Sequence, residues 1–168
     1  GGIIDVGGAS TEKTLQRSGA RLYSHSANVG TGRLYDACGR DKAALSRYIS
    51  GAIAEYGSVP AQGLTMYAIG GTATTMAAVA LGLEKYDPSK TDGAQITLEQ
   101  AGRMADMLLS LPVEDVKKVK GMEPRRADVI GGGCLLMCSI MSMLGADKIV
   151  VSEKDNLEGY VLSRLKNI

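Results

Sequence analysis

The first twelve residues carry the residue types and the spacing that a phosphate-binding turn requires. They read Gly-Gly-Ile-Ile-Asp-Val-Gly-Gly-Ala-Ser-Thr-Glu, an apolar run that ends in a carboxylate and leads into two glycines and three small or hydroxylic residues. Glycines allow the backbone to present consecutive N–H groups to an anion, and hydroxyl side chains add further donors. The pattern predicts two strands joined by an anion-binding turn that consists of Gly7, Gly8, Ala9, Ser10 and Thr11.

Two carboxylates flank this turn, because Asp5 ends the first predicted strand and Glu12 begins the second. Carboxylates beside a phosphate commonly hold Mg²⁺ or orient an attacking water molecule. We therefore expect Asp5 and Glu12 to be both the magnesium ligands and the catalytic residues. An ordinary glycine-rich hairpin turn without a ligand would explain the same residues.

A second glycine-rich turn favours the phosphate-binding interpretation. Residues 64–69 form a short apolar run typical of a buried strand, and Gly70, Gly71 and Thr72 follow it directly. A helix is predicted over 76–83, so the turn and the N-terminus of that helix would form an anion or nucleotide site. We expect Gly70, Gly71 and Thr72 to bind phosphate. The alternative is a tight turn between strand and helix in which Thr72 is only the N-cap.

The remaining reactive side chains fit structural roles better. His25 is the only histidine and lies in a predicted strand, where an edge or partly buried position is favoured over a base or a metal ligand. Cys134 and Cys138 lie four residues apart on one face of a predicted buried helix, as small core residues would. Arg126 and Asp128 precede this helix. They form either a buried ion pair, which we favour, or a contact to the active cleft.

Composition narrows the class of protein. The chain has 168 residues, of which 45% are hydrophobic and 22% charged, and this fits one globular domain. A net charge of +1 and the absence of Trp and Phe argue against nucleic acid as a partner. The uncharged run 129–146 approaches membrane-spanning length, but its glycines and serines favour a helix buried inside the domain.

The beginning of the sequence and its cysteines lead to two further expectations. No signal peptide is recognised, and three cysteines without metal-type spacing favour a reduced, cytoplasmic setting. The sequence also lacks an initiating Met and begins inside its main motif, which suggests one half of a longer protein.

The elements that must position the two turns follow from periodicity and capping residues. Three opening strands form a meander with a hairpin turn at Ser18-Gly19, Asp41 caps the first long helix, and residues 84–95 are an exposed loop. After the first strand, the predicted strands are 13–17, 20–29, 64–69 and 148–152, and the predicted helices are 41–56, 76–83, 97–109, a short one from 112, 129–146 and 156–165. The sequence thus predicts an α/β fold with a mixed five-stranded sheet and flanking helices.

This order of elements resembles the ribonuclease-H-like half of the actin, hexokinase and Hsp70 superfamily. Several motifs are also similar, in the order in which they occur, to those of the exopolyphosphatase and guanosine pentaphosphate phosphohydrolase family. These motifs are residues 5–12, Ser26 with Gly30 and Arg33-Leu34, residues 70–74, residues 126–130 and residues 151–153.

The resemblance implies that residues 1–168 form the second, C-terminal actin-like domain of a two-domain phosphatase. Residues 5–12 would be its second phosphate-binding loop, with Asp5 and Glu12 assisting Mg²⁺ and the attacking water, and residues 70–72 would face the same cleft. The general-base glutamate of the family belongs to the first domain, which no part of this sequence matches. The chain is therefore expected to be inactive alone and to have the missing N-terminal domain as its partner.

Three positions depart from the family pattern. Ala9 stands where the loop usually has a third glycine, and Asp92 stands where a histidine usually precedes Gly93. Leu157 takes the place of an arginine near the end of the pattern, which leaves the preference for long polyphosphate open.

The resemblance implies hydrolysis of the terminal phosphate of inorganic polyphosphate or guanosine pentaphosphate, with Mg²⁺ as the cofactor. Two alternatives stay open: a sugar or carboxylate kinase of the same superfamily, and a non-catalytic module that binds polyphosphate or an alarmone. We expect no nucleic-acid or membrane partner. An apolar face left where the first domain docks would allow a homodimer.

Overall fold

The computed structural model describes residues 1–17, 20–54 and 65–154, which form one mixed sheet and its helices. The strands are β1 (Gly2–Val6), β2 (Thr11–Arg17), β3 (Ala20–Ala27), β4 (Met66–Ile69), β5 (Gln95–Thr97) and β6 (Lys148–Val151). The helices are α1 (Thr31–Cys38), α2 (Lys42–Ile53), α3 (Gly71–Leu81), α4 (Pro88–Thr91), α5 (Leu98–Ser110), α6 (Val113–Val116) and α7 (Ile130–Leu144), with a 3₁₀ turn at Pro124–Arg126. The predicted turn at Ser18-Gly19 and the predicted helix 156–165 lie outside the described residues.

The order of the strands brings the two glycine turns to one edge of the sheet. The strands lie in the order β3-β2-β1-β4-β6-β5, and the first three form the predicted antiparallel meander. β4 is parallel to β1 on one side and to β6 on the other, whereas β5 is antiparallel to β6. Parallel strands share the edge at which their carboxyl ends lie. The turns that follow β1 and β4 therefore leave the sheet next to each other.

The sixth strand corrects the prediction of five. Residues 95–97 form β5, although the sequence predicts a loop up to residue 95 and a helix from residue 97. Ile96 is fully buried between two exposed neighbours and pairs with Ile149 of β6. Three residues are too few to show the alternation of a strand in the sequence. Residues 95–97 form a strand because they pair with β6 in the folded structure. The predicted exposed loop also contains α4, and Thr91 at the end of that helix is buried.

Several helices begin where their capping residues indicate. Asp41 accepts hydrogen bonds from the N–H groups of Ala43 and Ala44 and so begins α2, as predicted. Thr97 and Gln100 form a reciprocal capping box at the start of α5. In these helices a local side chain satisfies the exposed N–H groups, which is why the sequence alone predicts their first residues.

α7 runs through the main core and confirms the buried helix predicted over the uncharged run. Most of its residues are buried, including Gly131, Gly132 and Gly133, and it ends at Gly145 with a positive φ of 69°. Among the helices that the structure describes, none is long and apolar enough to cross a membrane.

The two faces of β1 have different surroundings. Ile4 and Val6 belong to the main core, whereas Ile3 packs against Tyr67 and its neighbours in a smaller cluster. Side chains alternate between the faces of a strand, so Asp5 lies on the same face as Ile3. The carboxylate of Asp5 therefore leaves the sheet on the side opposite the main core.

His25 and the cysteines lie in structural positions, as predicted. His25 is half-buried on β3, which is an edge strand of the sheet. Cys134 is buried in α7, Cys138 is half-buried, and both are free thiols. Burial raises the pKa of Cys134 to about 12, so its thiol stays protonated and packs as a small core side chain.

Candidate functional site

The first glycine turn is held from behind by the N-terminus of α1. Within the turn, the N–H of Gly7 donates to the carbonyl oxygen of Ser10 at 3.0 Å. The N–H of Thr31 donates to the oxygen of Gly7, and the N–H of Gly32 to the oxygen of Gly8, both at 2.9 Å. The first N–H groups of a helix have no partner inside the helix, so here they are satisfied by the turn itself.

This anchoring directs the N–H groups of the turn toward the open side. Arg33 Nε donates to the oxygen of Ala9 at 2.6 Å, so three consecutive carbonyl oxygens of the turn point toward α1. In a planar trans peptide the N–H points away from the preceding C=O. The N–H groups of Gly8, Ala9 and Ser10 therefore face away from α1, and no hydrogen bond within the described residues uses them. They are three consecutive N–H donors that could bind an anion.

The hydroxyl groups of the turn differ from the prediction. Thr11 is fully buried, and its hydroxyl donates to the carbonyl oxygen of Val29 at 2.5 Å. The prediction that the Thr11 hydroxyl contacts phosphate is therefore wrong, because this side chain faces the core. The hydroxyl of Ser10 donates to Glu12 Oε1 at 2.8 Å, and Ser26 donates to the same oxygen at 3.2 Å. Both serines orient the carboxylate of Glu12.

Asp5 and Glu12 form a row with Ser26 across three strands. Asp5 lies opposite Glu12 in the register of β1 and β2, and Glu12 lies opposite Ser26 in the register of β2 and β3. Residues opposite each other in antiparallel strands project their side chains from the same face. Glu12 is exposed and Asp5 is half-buried, so the pair borders the turn on one side.

The two carboxylates fit a magnesium site of a particular kind. Mg²⁺ is commonly bound by one or two carboxylates, while substrate phosphates and water complete its six ligands. Asp5 and Glu12 supply two carboxylates beside the anion-binding turn. No group of three or more metal-ligating side chains occurs in the part of the chain that the structure describes. Two carboxylates fit an ion whose remaining ligands are phosphate oxygens and water.

The second glycine turn is shorter than predicted, because α3 begins at Gly71 and not at residue 76. Gly70 is the N-cap, with a φ of 92°, and no side chain caps the helix. The alternative in which Thr72 is the N-cap is therefore wrong. The N–H groups of Gly71, Thr72 and Ala73 take no partner among the described residues. Such uncapped N–H groups favour an anion at the beginning of α3.

Gly70 also connects the two turns. A methyl group on this glycine would lie 2.9 Å from Oδ1 of Asp5, which shows how closely that carboxylate approaches the second turn. The positive φ disfavours any residue with a side chain there as well. Gly70 thus allows Asp5 to border both turns at once.

Arg126 lies at the beginning of α3. Its guanidinium occupies the space that a side chain on Gly71 would need. The favoured prediction of a buried ion pair is wrong, because in the described part of the chain Arg126 pairs neither with Asp128 nor with another carboxylate. The N-terminus of a helix carries positive partial charge. A cation placed beside it therefore favours a bound anion, in agreement with the alternative of a contact to the cleft.

A polar network beside α3 joins residues that are far apart in the sequence. Tyr86 and Thr91 both donate hydrogen bonds to Glu153, and the N–H of Glu153 donates to Oδ1 of Asp92 at 3.1 Å. Burial and the hydrogen bond to Glu153 raise the pKa of Tyr86. These partners are more than sixty residues apart in the chain, so no local pattern could reveal them. The network borders a cavity of about 260 Å³ that is also lined by Arg126.

The strand order and the two neighbouring glycine turns define an actin-like domain of ribonuclease-H-like fold. The chain belongs to the Ppx/GppA phosphatase family, whose family model matches residues 1–168. The actin-like fold predicted from the order of elements is thereby confirmed, as is the family that the motifs resemble.

Two curated relatives and a crystal structure illustrate the similarity. Exopolyphosphatase 2 of Mycobacterium tuberculosis is 29% identical over 174 residues, which cover 96% of this chain and 54% of that protein. The bifunctional 3-dehydroquinate synthase/phosphatase of Fusobacterium nucleatum is 29% identical over 177 residues, covering 98% of this chain and 26% of the relative. The crystal structure of the Aquifex aeolicus Ppx/GppA family member matches with a TM-score of 0.82 and 25% identity, over 99% of this chain and 56% of that chain. The chain thus spans only 26% to 56% of these proteins.

Proposed function

We propose that this chain supplies the phosphate-binding half of an active site that hydrolyses the terminal phosphate of inorganic polyphosphate or guanosine pentaphosphate. One observation carries the proposal: the N–H groups of Gly8, Ala9 and Ser10 face away from α1 without a partner in the described residues. In phosphoryl transfer the charge is spread over the equatorial oxygens of the transferred group. Donors fixed in advance stabilise that charge without having to reorganise.

Asp5 and Glu12 are the proposed magnesium ligands and catalytic carboxylates. A bound Mg²⁺ would neutralise charge on the phosphoryl oxygens. The carboxylate of Glu12 is held by Ser10 and Ser26, and this orientation suits a residue that positions the attacking water. Gly70, Gly71 and Thr72 are proposed to bind a second phosphate through their N–H groups, beside the guanidinium of Arg126.

The missing half of the site is proposed to come from an N-terminal domain. The chain covers 54% of the mycobacterial relative, which is named an exopolyphosphatase, and 56% of the Aquifex aeolicus structure. The base that accepts the proton of water would be a carboxylate of that other domain. On this proposal the isolated chain binds phosphate but does not release it from a substrate.

The alternatives make different predictions. A non-catalytic module that senses polyphosphate or an alarmone needs the N–H donors but not the oriented carboxylate of Glu12. Membership of a phosphatase family argues against the kinase alternative. Measured transfer of phosphate from ATP to a small acceptor would nevertheless support the kinase alternative.

The deciding experiment measures phosphate release from long polyphosphate and from guanosine pentaphosphate in the presence of Mg²⁺. It uses this chain and the longer protein that includes the N-terminal domain. Release only by the longer protein is expected, and Glu12→Gln should reduce it about a hundredfold, since removing one preorganised group commonly costs that much. Glu99→Gln, which changes an exposed carboxylate on α5, is the matched control and should leave release unchanged.

A sensor would give the opposite result. The longer protein would release no phosphate, and Glu12→Gln would keep or increase the affinity for tripolyphosphate because a negative charge is removed from the site. That combination would overturn the enzymatic proposal and leave a binding module.

A further inference from the structure

Gly133 of α7 lies between the elements that carry the two glycine turns. A methyl group on this residue would lie 3.0 Å from Cγ2 of Thr31 and 3.0 Å from Cγ2 of Thr72. Favourable contacts between carbon atoms lie at about 3.5–4.0 Å, so both contacts would be too close. Thr31 and Thr72 are themselves buried, with 8% and 3% of their surface exposed.

Each threonine is directly joined to one of the turns. The N–H of Thr31 holds the carbonyl oxygen of Gly7 at 2.9 Å, so Thr31 moves together with the first turn. Thr72 belongs to the first turn of α3, where its own N–H is one of the uncapped donors. The missing side chain of Gly133 therefore determines how closely both elements pack against α7.

We propose that Gly133 is a positioning residue that sets the separation of the two glycine turns, so that one polyphosphate chain contacts both. This inference rests on the proposed function. Close-packed interiors transmit small displacements instead of absorbing them. A methyl group on Gly133 would require the side chains of Thr31 and Thr72 to give way by a few tenths of an ångström. Because both side chains are buried, we expect part of this shift to reach the beginnings of α1 and α3.

The neighbouring glycine provides a matched control. A methyl group on Gly132 would lie 3.5 Å from Cδ2 of Leu45 and 3.9 Å from Leu34, which is ordinary contact. Both glycines are buried in the same helix, and both changes to alanine carry the same gain in helix propensity. A difference between the two variants therefore reports the contacts with the threonines.

The test compares a ligand that reaches both turns with one that occupies a single turn. Isothermal titration calorimetry gives the affinity of the chain for tripolyphosphate and for orthophosphate. Gly133→Ala is expected to lower the affinity ratio of tripolyphosphate to orthophosphate about tenfold, since small misplacements of binding groups have effects of this order. Gly132→Ala should leave this ratio unchanged.

A second variant separates positioning from damage to the fold. Thr31→Ser removes the methyl group that faces Gly133, so the added methyl of Gly133→Ala gains space to move toward it. Adding Thr31→Ser to Gly133→Ala should therefore raise the affinity ratio of tripolyphosphate to orthophosphate much of the way back to the wild-type value.

Two results would overturn the inference. One is an equal loss of affinity for both anions in Gly133→Ala, which indicates general destabilisation. The other is an unchanged affinity ratio of tripolyphosphate to orthophosphate in Gly133→Ala, provided that the wild-type chain binds both anions. Failure of the wild-type chain to bind either anion would instead overturn the proposed function, and the inference with it.

Discussion

At the level of single residues, Lys13 places an amino group among the side chains of the main core. It lies on β2 directly opposite Ile4, and its side chain is fully buried. Burial penalises the charged form and lowers the pKa of Lys13 from 10.5 to about 8. Between about pH 8 and 10.5, the folded chain has therefore lost a proton that the unfolded chain still holds.

The free energy of unfolding is predicted to rise with pH across this window. Stability increases with pH wherever the unfolded state binds more protons than the folded state. Below about pH 8 both states hold the proton and the cost of burying the charge is present in full. Urea unfolding near pH 8 and near pH 10.5 measures the change, and Lys13→Met should remove the part due to this residue.

Lys118→Met, at an exposed position, controls for the loss of one lysine. The two variants should differ in their pH dependence. Identical pH profiles of Lys13→Met and Lys118→Met would show that burial does not lower the pKa of Lys13.

Two adjacent arginines allow a matched test of the second turn. The guanidinium of Arg126 lies against Gly71, whereas Arg125 is 90% exposed and pairs with Glu123. Arg126→Gln should weaken tripolyphosphate binding about tenfold, because hydrogen bonds to charged groups contribute about 1.5–3 kcal/mol. Arg125→Gln should change it much less, since exposed pairs contribute little. Calorimetric titration of both variants measures this difference, and equal losses would contradict the role of Arg126.

The sequence predicts the backbone of this site better than its hydroxyl groups. The glycines at 7, 8, 70 and 71 indicate turns through their own conformational freedom, which is a local property. Thr11 looks like a phosphate ligand from its neighbours, but its hydroxyl partner, Val29, lies eighteen residues further on. The role of Arg126 likewise depends on a contact with Gly71 that only the fold creates.

At the level of elements, the capping box of α5 should contribute to stability without affecting the site. Thr97 and Gln100 each accept a hydrogen bond from the other's backbone N–H. Thr97→Ala is predicted to lower the free energy of unfolding by about 1 kcal/mol, as loss of an N-cap commonly does. Urea unfolding measures this loss.

Thr97→Ser keeps the capping hydroxyl and should be close to wild type. Neither variant should change the affinity for tripolyphosphate, because Thr97 pairs with Lys148 at the beginning of β6, at the edge of the sheet opposite to the glycine turns. A loss of anion affinity in Thr97→Ala under conditions where the variant is fully folded would show that the capping box does affect the site.

A helix or strand could be predicted from the sequence where a capping side chain indicates its beginning or where hydrophobic periodicity extends over many residues. Asp41 and Thr97 fix the beginnings of α2 and α5 through their side chains. α3 has no capping side chain, and the sequence therefore predicts its beginning at residue 76, although the helix begins at Gly71. β5 has only three residues, and its membership of the sheet depends on β6, more than fifty residues away in the chain.

At the level of the whole molecule, anion binding should stabilise the entire domain. A ligand that binds only the folded state at a hundred times its Kd adds about 2.7 kcal/mol to the free energy of unfolding. Tripolyphosphate at such an excess is therefore predicted to shift the urea midpoint upward. Arg126→Gln at the same ligand concentration should show a smaller shift, and an absent shift in the wild type would contradict binding.

The quaternary and cellular expectations remain predictions. Sedimentation of the chain and of the longer protein would decide whether the expected homodimer forms. The expected cytoplasmic location calls for fractionation of cells.

The way the first turn is anchored determines which substitutions it tolerates during evolution. The carbonyl oxygens of Gly7 and Gly8 are held by main-chain N–H groups of α1 and not by side chains of the turn. A methyl group on Gly8 would have no neighbour within 4 Å, and Ala9 is already exposed. Positions 8 and 9 of the turn can therefore exchange one small residue for another while the N–H donors of the turn keep their places. The alanine at position 9 is one exchange of this kind.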